Sequence, residues 1–102
     1  MAKLVVLYKK PSDPEAFDAH YESTHVPLAK KVPGLKRYEI STGPVSTPAG
    51  DSAWHLVAVL SFDSVDALKA GLASPEGQAA AGDLGNFAQA GAELLIFDTK
   101  DV

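Results

Sequence analysis

Residues 53–62, AWHLVAVLSF, are the most hydrophobic run of the chain, and the alternation of their side chains decides the fold. A run of β-branched and aromatic residues without an internal Gly or Pro reads as a strand. On a strand, Trp54, Leu56, Ala58, Leu60 and Phe62 share one face, while His55, Val57, Val59 and Ser61 share the other. Both faces are largely apolar. A sheet with helices on one side and water on the other would alternate apolar with polar. KLVVLYK (3–9) and ELLIFD (93–98) repeat the pattern: Leu4 and Val6 oppose Val5 and Leu7, and Leu94 and Ile96 oppose Leu95 and Phe97.

Pro11 ends the first of these strands, and Asp13-Pro14 opens a helix. Asp13 accepts orphan amide bonds as N-cap, and Pro14 takes a first-turn position where no N–H is needed. An apolar stripe of Phe17, Tyr21, Thr24 and Leu28 carries this helix on until Pro33-Gly34 stops it. LKRYEIST (35–42) reads as a second strand and GPVSTPAGDS (43–52) as a loop before the strand at 53–62. Ser64 caps a helix from Val65 to about Leu72. Ser74-Pro75-Glu76 opens another through Leu84, Phe87 and Ala88, with Gly91 expected as its C-cap.

The resulting order, β-α-β-β-α-β with the second helix in two pieces, is the ferredoxin-like arrangement. It predicts a single α+β domain over residues 1–102: a four-stranded antiparallel sheet with helices on one face. Helices on one face leave the other apolar face bare, and an exposed apolar patch of that size marks an interface. A homodimer pairing sheet against sheet is therefore expected, and it supplies burial that a chain of 102 residues otherwise lacks.

A formal net charge of -4 argues against a nucleic-acid partner, which requires a basic face. The absence of cysteine excludes disulfides, thiolate metal sites and cysteine nucleophiles. MAKLVVLYKK at the start has too short an apolar run for a signal peptide or a membrane span, so a cytoplasmic protein with no membrane partner is expected. Gly71, Gly77, Gly82, Gly85 and Gly91 fit neither phosphate-binding fingerprint, and no nucleophile elbow occurs, so no cofactor is expected.

Candidate chemistry gathers in AHYESTHVPLAKKVPGL (19–35), which holds two of the three histidines. His20 and His25 are five apart, about 140° around an α-helix, and lack the i, i+4 spacing of a zinc helix, so no metal site is expected. His25 lies at the edge of the apolar stripe just before Val26-Pro27, where proline removes a helical hydrogen bond to Ser23 and disfavours helical geometry at Val26. An imidazole beside such a break is placed to move a proton of an enolic or phenolic substrate at neutral pH. The same ring can simply bond a local carbonyl at the helix edge, and the residues alone favour that plainer role. Tyr8, Tyr21, Tyr38, Trp54, Phe17 and Phe87 are either pocket walls for a planar ring or core aromatics, and composition favours the core. His55 joins Tyr8, Tyr21, Tyr38, Trp54 and Phe87 as a candidate substrate contact. Lys30, Lys31, Lys36 and Arg37 either attract a carboxylate or complement a helix end in water.

DAHYESTHVPLAKKVPGLKRYE, together with SFDSVDAL and LASPEGQAAAGDLGNFA, closely resembles the EthD family of the dimeric α+β barrel superfamily. The resemblance runs from LVVLYKKP to ELLIFD and departs only at the small residues Gly77 and Gly85, which are expected to soften the second long helix. It implies a dimer whose two sheets form a barrel. The family takes its name from a protein needed for ethyl tert-butyl ether degradation beside a cytochrome P450 system, and its superfamily includes cofactor-free monooxygenases, isomerases, cyclases and haem-dependent enzymes. The resemblance therefore implies a small hydrophobic or aromatic ligand in a cleft between helices and sheet, with His25 as the acid/base group. An oxidoreductase resembling the cofactor-free monooxygenases is the leading expectation. A cyclase, isomerase or decarboxylase using the same cleft, and a non-catalytic binding or accessory protein of an oxidative degradation system, remain open.

Overall fold

A computed structural model describes residues 1–102. Strand β1 (Ala2–Lys9) leads through Asp13 into helix α1 (Pro14–His20). The helix widens into a π-helical turn over Tyr21–His25 and continues as α2 (Val26–Lys30). Strand β2 (Arg37–Ile40) follows, then a two-residue hairpin of β3 (Ser46–Thr47) and β4 (Gly50–Asp51) inside the expected loop. The long strand β5 (Trp54–Phe62) precedes helices α3 (Val65–Ala73) and α4 (Pro75–Phe87), and β6 (Ala92–Asp98) ends the fold.

The four long strands form one antiparallel sheet in the order β2-β5-β1-β6, with Leu4 opposite both Leu60 and Ile96. This is the ferredoxin-like arrangement. β2 is shorter than the expected 35–42, yet Lys36 N donates to Ser61 O and Ser41 N to Val57 O, each at 2.8 Å, so pairing extends beyond its ends.

Side-chain caps start the helices where the sequence places them. Asp13 Oδ1 accepts from Ala16 N, Ser64 Oγ from Ala67 N, and Ser74 Oγ from Gly77 N. Each such cap contributes about 1 kcal/mol. Gly91 does adopt a left-handed φ of +115°, but it lies beyond the C-cap Ala88 and closes the loop by accepting from Lys9 N.

The core lies between sheet and helices: Leu4, Val6, Tyr8, Leu56, Ala58, Leu60 and Phe62 from the sheet meet Phe17, Tyr21, Leu68 and Phe87. On the helix at 14–30 the buried residues are Phe17, Tyr21, His25 and Ala29, whereas Thr24 is exposed. The expected stripe is therefore corrected at Thr24: it runs through His25 and Ala29, with Leu28 half-buried and packed against the core beside them. Val26 is also helical (φ -57°, ψ -48°), contrary to the expected break. The π-turn absorbs Pro27: the Val26 N–H reaches Tyr21 O, five residues back, and the proline then opens the next helical segment where it needs no donor.

Gly77 has a packing role in α4. A Cβ there would collide with the backbone oxygens of Gly71 and Leu72, so its bareness lets α4 start hard against the end of α3. Gly85 faces open space.

The outer face of the sheet carries Val5, Leu7, Val57 and Val59, half-buried, beside Leu95 and Phe97 at 49% and 43% exposure. Edge strand β6 is uncovered on its helix side as well, with Leu94 and Ile96 exposed. No helix is long and apolar enough to cross a membrane.

Candidate active site

The π-turn sets the site. In a π-turn residues five apart stack as residues four apart do in an α-helix, so the expected 140° between His20 and His25 does not apply. Both rings reach one carboxylate, Asp83 of α4. His20 Nε2 lies 2.9 Å from Asp83 Oδ1 and 3.1 Å from Oδ2, and His25 Nδ1 lies 3.0 Å from Oδ2. Asn86 Nδ2 donates to Oδ1 at 3.0 Å, holding the carboxylate from its own helix.

Asp83 and His25 are buried. Burial pulls the Asp83 carboxyl up, but the hydrogen bonds from Asn86, His20 and His25 outweigh it and hold the group below its ordinary 3.8. An ionised carboxylate only accepts, so the His25 nitrogen facing it carries the proton. That fixes the Nδ1–H tautomer and leaves Nε2 with its lone pair. Burial lowers His25 from its ordinary 6.5, against the hydrogen bond and charge of Asp83 that raise it. At neutral pH the ring is an uncharged base whose orientation is set by a carboxylate.

His25 borders a cavity of about 50 Å³ between helices and sheet, with Tyr8, Tyr21 and Tyr38 around it and aliphatic walls from Leu60, Ala80 and Leu84. Tyr21 and Tyr38 meet hydroxyl to hydroxyl at 2.6 Å. Burial raises all three phenols, helped at Tyr8 by nearby Tyr38 and Asp83 and at Tyr21 by the bond with Tyr38, while at Tyr38 that bond opposes the rise. All three stay protonated. In a pair of neutral phenols one hydroxyl donates to the other, so the acceptor keeps its own proton for a guest. The cavity thus combines a base, a phenolic donor and apolar walls.

The other expected contacts separate. Trp54 and His55 border a second hollow, an open groove of about 700 Å³ on the same side of the sheet. His55 Nε2 bonds Asp18 Oδ1 at 2.8 Å and stands edge-on to Phe17 at 5.0 Å. Phe87 borders neither hollow: its ring packs against His25 and His20 at 4.9 and 5.1 Å and supports them from the core. Lys36 and Arg37 make only exposed pairs with Asp63 and Glu39, which contribute little. No group of three or more His, Cys, Asp or Glu side chains is arranged to hold a metal ion.

Sequence reasoning missed Asp83 and the role of His20. A signal existed: in GQAAAGDLGNFA, Asp83 falls three residues after Ala80 and four before Phe87, on the face of α4 that packs inward. A carboxylate on a buried helical face requires partners, and Asn86 one turn on, with the histidines of the first helix, can supply them.

Known proteins share this frame. The model of the EthD domain matches residues 9–91. A Rhodococcus erythropolis protein, an uncharacterized 11.0 kDa product of the thcB-thcC intergenic region, is 41% identical over 104 residues, covering 100% of this chain and 98% of its own. The crystal structure of an ethyl tert-butyl ether D (EthD) family protein from Bacillus halodurans superposes with a TM-score of 0.90 at 35% identity, over 98% of this chain and 99% of that one. SnoaB of Streptomyces nogalater, a cofactor-independent oxygenase crystallised as a point mutant, shares the fold at a TM-score of 0.68 and 20% identity, over 99% and 94% of the two chains. A Bacteroides fragilis protein described as dimeric and ferredoxin-like shares it at 0.66 and 19%, over 96% and 95%.

Proposed function

The chain belongs to the EthD family, and on that premise we propose that it acts on a small hydrophobic, aromatic metabolite by proton abstraction at His25, leading to oxygenation without a cofactor. The observation that carries the reading is the His25–Asp83 pair beside the cavity. A neutral imidazole that borders the cavity, with Nδ1 committed to Asp83 and Nε2 left bare, takes a proton from a CH2 activated by a neighbouring ring or carbonyl. A hydroxyl of the Tyr21–Tyr38 pair donates to the oxygen that gains charge. The carbanion passes electrons to dioxygen and a peroxide forms on carbon. His25 returns its proton to the peroxide, then takes the second proton from the same carbon as the O–O bond breaks; the hydroxide that leaves collects that proton as water, so one oxygen atom ends in the product carbonyl and the other in water. The fold shared with a cofactor-independent oxygenase supports the oxygen step; the dyad supports the proton step.

The reading includes a homodimer. The apolar outer face supports it, as do relatives of the same fold described as dimeric.

Deuterium uptake into 2-tetralone, an enolisable aromatic ketone, tests the base. The wild-type protein accelerates exchange, and His25→Gln lowers the rate by at least about a hundredfold. Exchange without oxygen consumption assigns the site to isomerase, cyclase or decarboxylase chemistry instead. No acceleration over buffer removes the base and leaves a carrier.

A further inference from the structure

We propose that the inner cavity and the outer groove are two compartments of one binding site, parted by the Tyr21–Tyr38 hydroxyl pair, and that its ligand is an elongated neutral molecule. A small enolisable or phenolic head reaches His25, and a larger planar apolar body lies against Trp54. The inference rests on the proposed function and extends it to the shape and charge of the substrate.

Size comes first. The inner cavity, about 50 Å³, lies well below the ~300 Å³ at which small-molecule sites begin, while the groove, about 700 Å³, lies within their range. At about 50 Å³ the cavity is well under the ~150 Å³ that takes a benzene ring, so a head group enters it only as Tyr38 turns aside. The two hollows follow the same rows of the sheet. On β5, Ala58 and Leu60 border the cavity and Leu56 the groove; on β2, Tyr38 borders the cavity and Ile40 the groove. Tyr21 alone borders both.

The partition is able to open. Tyr21 is fixed by rings on several sides: Tyr8 at 5.6 Å, Phe17 at 6.1 Å, Phe87 at 5.8 Å and His25 at 5.2 Å. Tyr38 is held less: it is half-buried, stands on edge strand β2, and has no ring neighbour of this kind. A rotation of Tyr38 breaks one hydroxyl bond and joins the compartments.

Charge selects the ligand. Asp18, Glu22 and Asp51 border the groove against the single cation Lys10, which disfavours an anionic body. Trp54, Ile40 and Leu56 offer it flat and apolar surface instead.

The test uses two neutral probes, phenol for the head alone and 4-phenylphenol for head and body, followed by NMR on the whole protein. Trp54 is the single tryptophan, so its indole N–H reports the groove, and the His25 ring reports the cavity. Phenol is expected to shift His25 and leave Trp54 in place, whereas 4-phenylphenol shifts both with one shared midpoint. Tyr38→Phe, which removes the hydroxyl bond, tightens 4-phenylphenol by about fivefold, the ratio given by one net hydrogen bond, and phenol likewise. Separate midpoints for Trp54 and His25, a response at only one of them, or none at the solubility limit of 4-phenylphenol overturn the two-compartment site. A shared midpoint without exchange into 2-tetralone keeps the site and removes the base chemistry; His25-dependent exchange with separate midpoints does the reverse.

Discussion

His25 and Asp83 lie 58 positions apart in the chain and meet at 3.0 Å, imidazole Nδ1 to carboxylate Oδ2, inside the protein. The π-turn at Tyr21–His25 makes the meeting possible and brings His20 to the same carboxylate. From this relationship come the tautomer, the charge state and the acid sensitivity of the site.

Asp83→Asn keeps the size of the side chain but leaves one oxygen to accept where two accepted before, and it loses the charge. We expect a loss of about 2–3 kcal/mol from the charge-assisted bonds, read by urea unfolding at pH 7. The pH dependence of the wild-type protein has a definite sign. The unfolded His25 takes up a proton near 6.5 while the buried ring resists it, so stability falls as pH drops from about 6.5 towards the lower folded value. Asp83 adds a second loss. Its folded value lies below 3.8, so its stabilisation is present above 3.8 and disappears as pH falls through the folded value. Each group contributes a slope of at most ~1.4 kcal/mol per pH unit. Asp83→Asn is expected to lose the second phase and keep the first.

Gly77 and Gly85 of α4 predict opposite outcomes. Gly77→Ala places a methyl group against the backbone oxygens of Gly71 and Leu72, and strongly lowers the melting temperature. Gly85→Ala meets nothing within 4 Å and raises stability by about 0.5–1 kcal/mol through helix propensity. Thermal unfolding of the two variants beside the wild-type protein checks both signs.

On the outer face, Phe97→Asp and Val59→Asp each place a charge where a second sheet is expected to pack. Sedimentation of the wild-type protein at micromolar concentration gives a dimer, and each variant gives a folded monomer. A folded wild-type monomer removes the sheet-to-sheet pairing.

Much of the fold was legible in the sequence, because its signals are local. Asp13-Pro14 and Ser74-Pro75 announce helix starts with their own side chains, and the alternation assigns the faces of β5 from Leu56 to Phe62; at His55, expected on the outer face, a register shift against β1 turns the ring to the helix side, onto Phe17 and Asp18. The site was half legible. His25 stood out through its setting before Pro27, but its partner lies on another helix, and no spacing rule of the α-helix links His20 to His25. The expected rotation between the two rings does not hold because the helix is not α over Tyr21–His25. The division of the aromatic candidates between two hollows was also hidden, since Tyr38 stands by the cavity on β2 while the register shift in β5 brings both Trp54 and His55 to the groove.

Nitrogen NMR of the histidine rings at pH 7 tests the central claim most directly. His25 is expected to be neutral, protonated at Nδ1 and bare at Nε2, and to titrate below 6.5. A His25 ring that is an imidazolium at pH 7, or that carries its proton on Nε2, would contradict it.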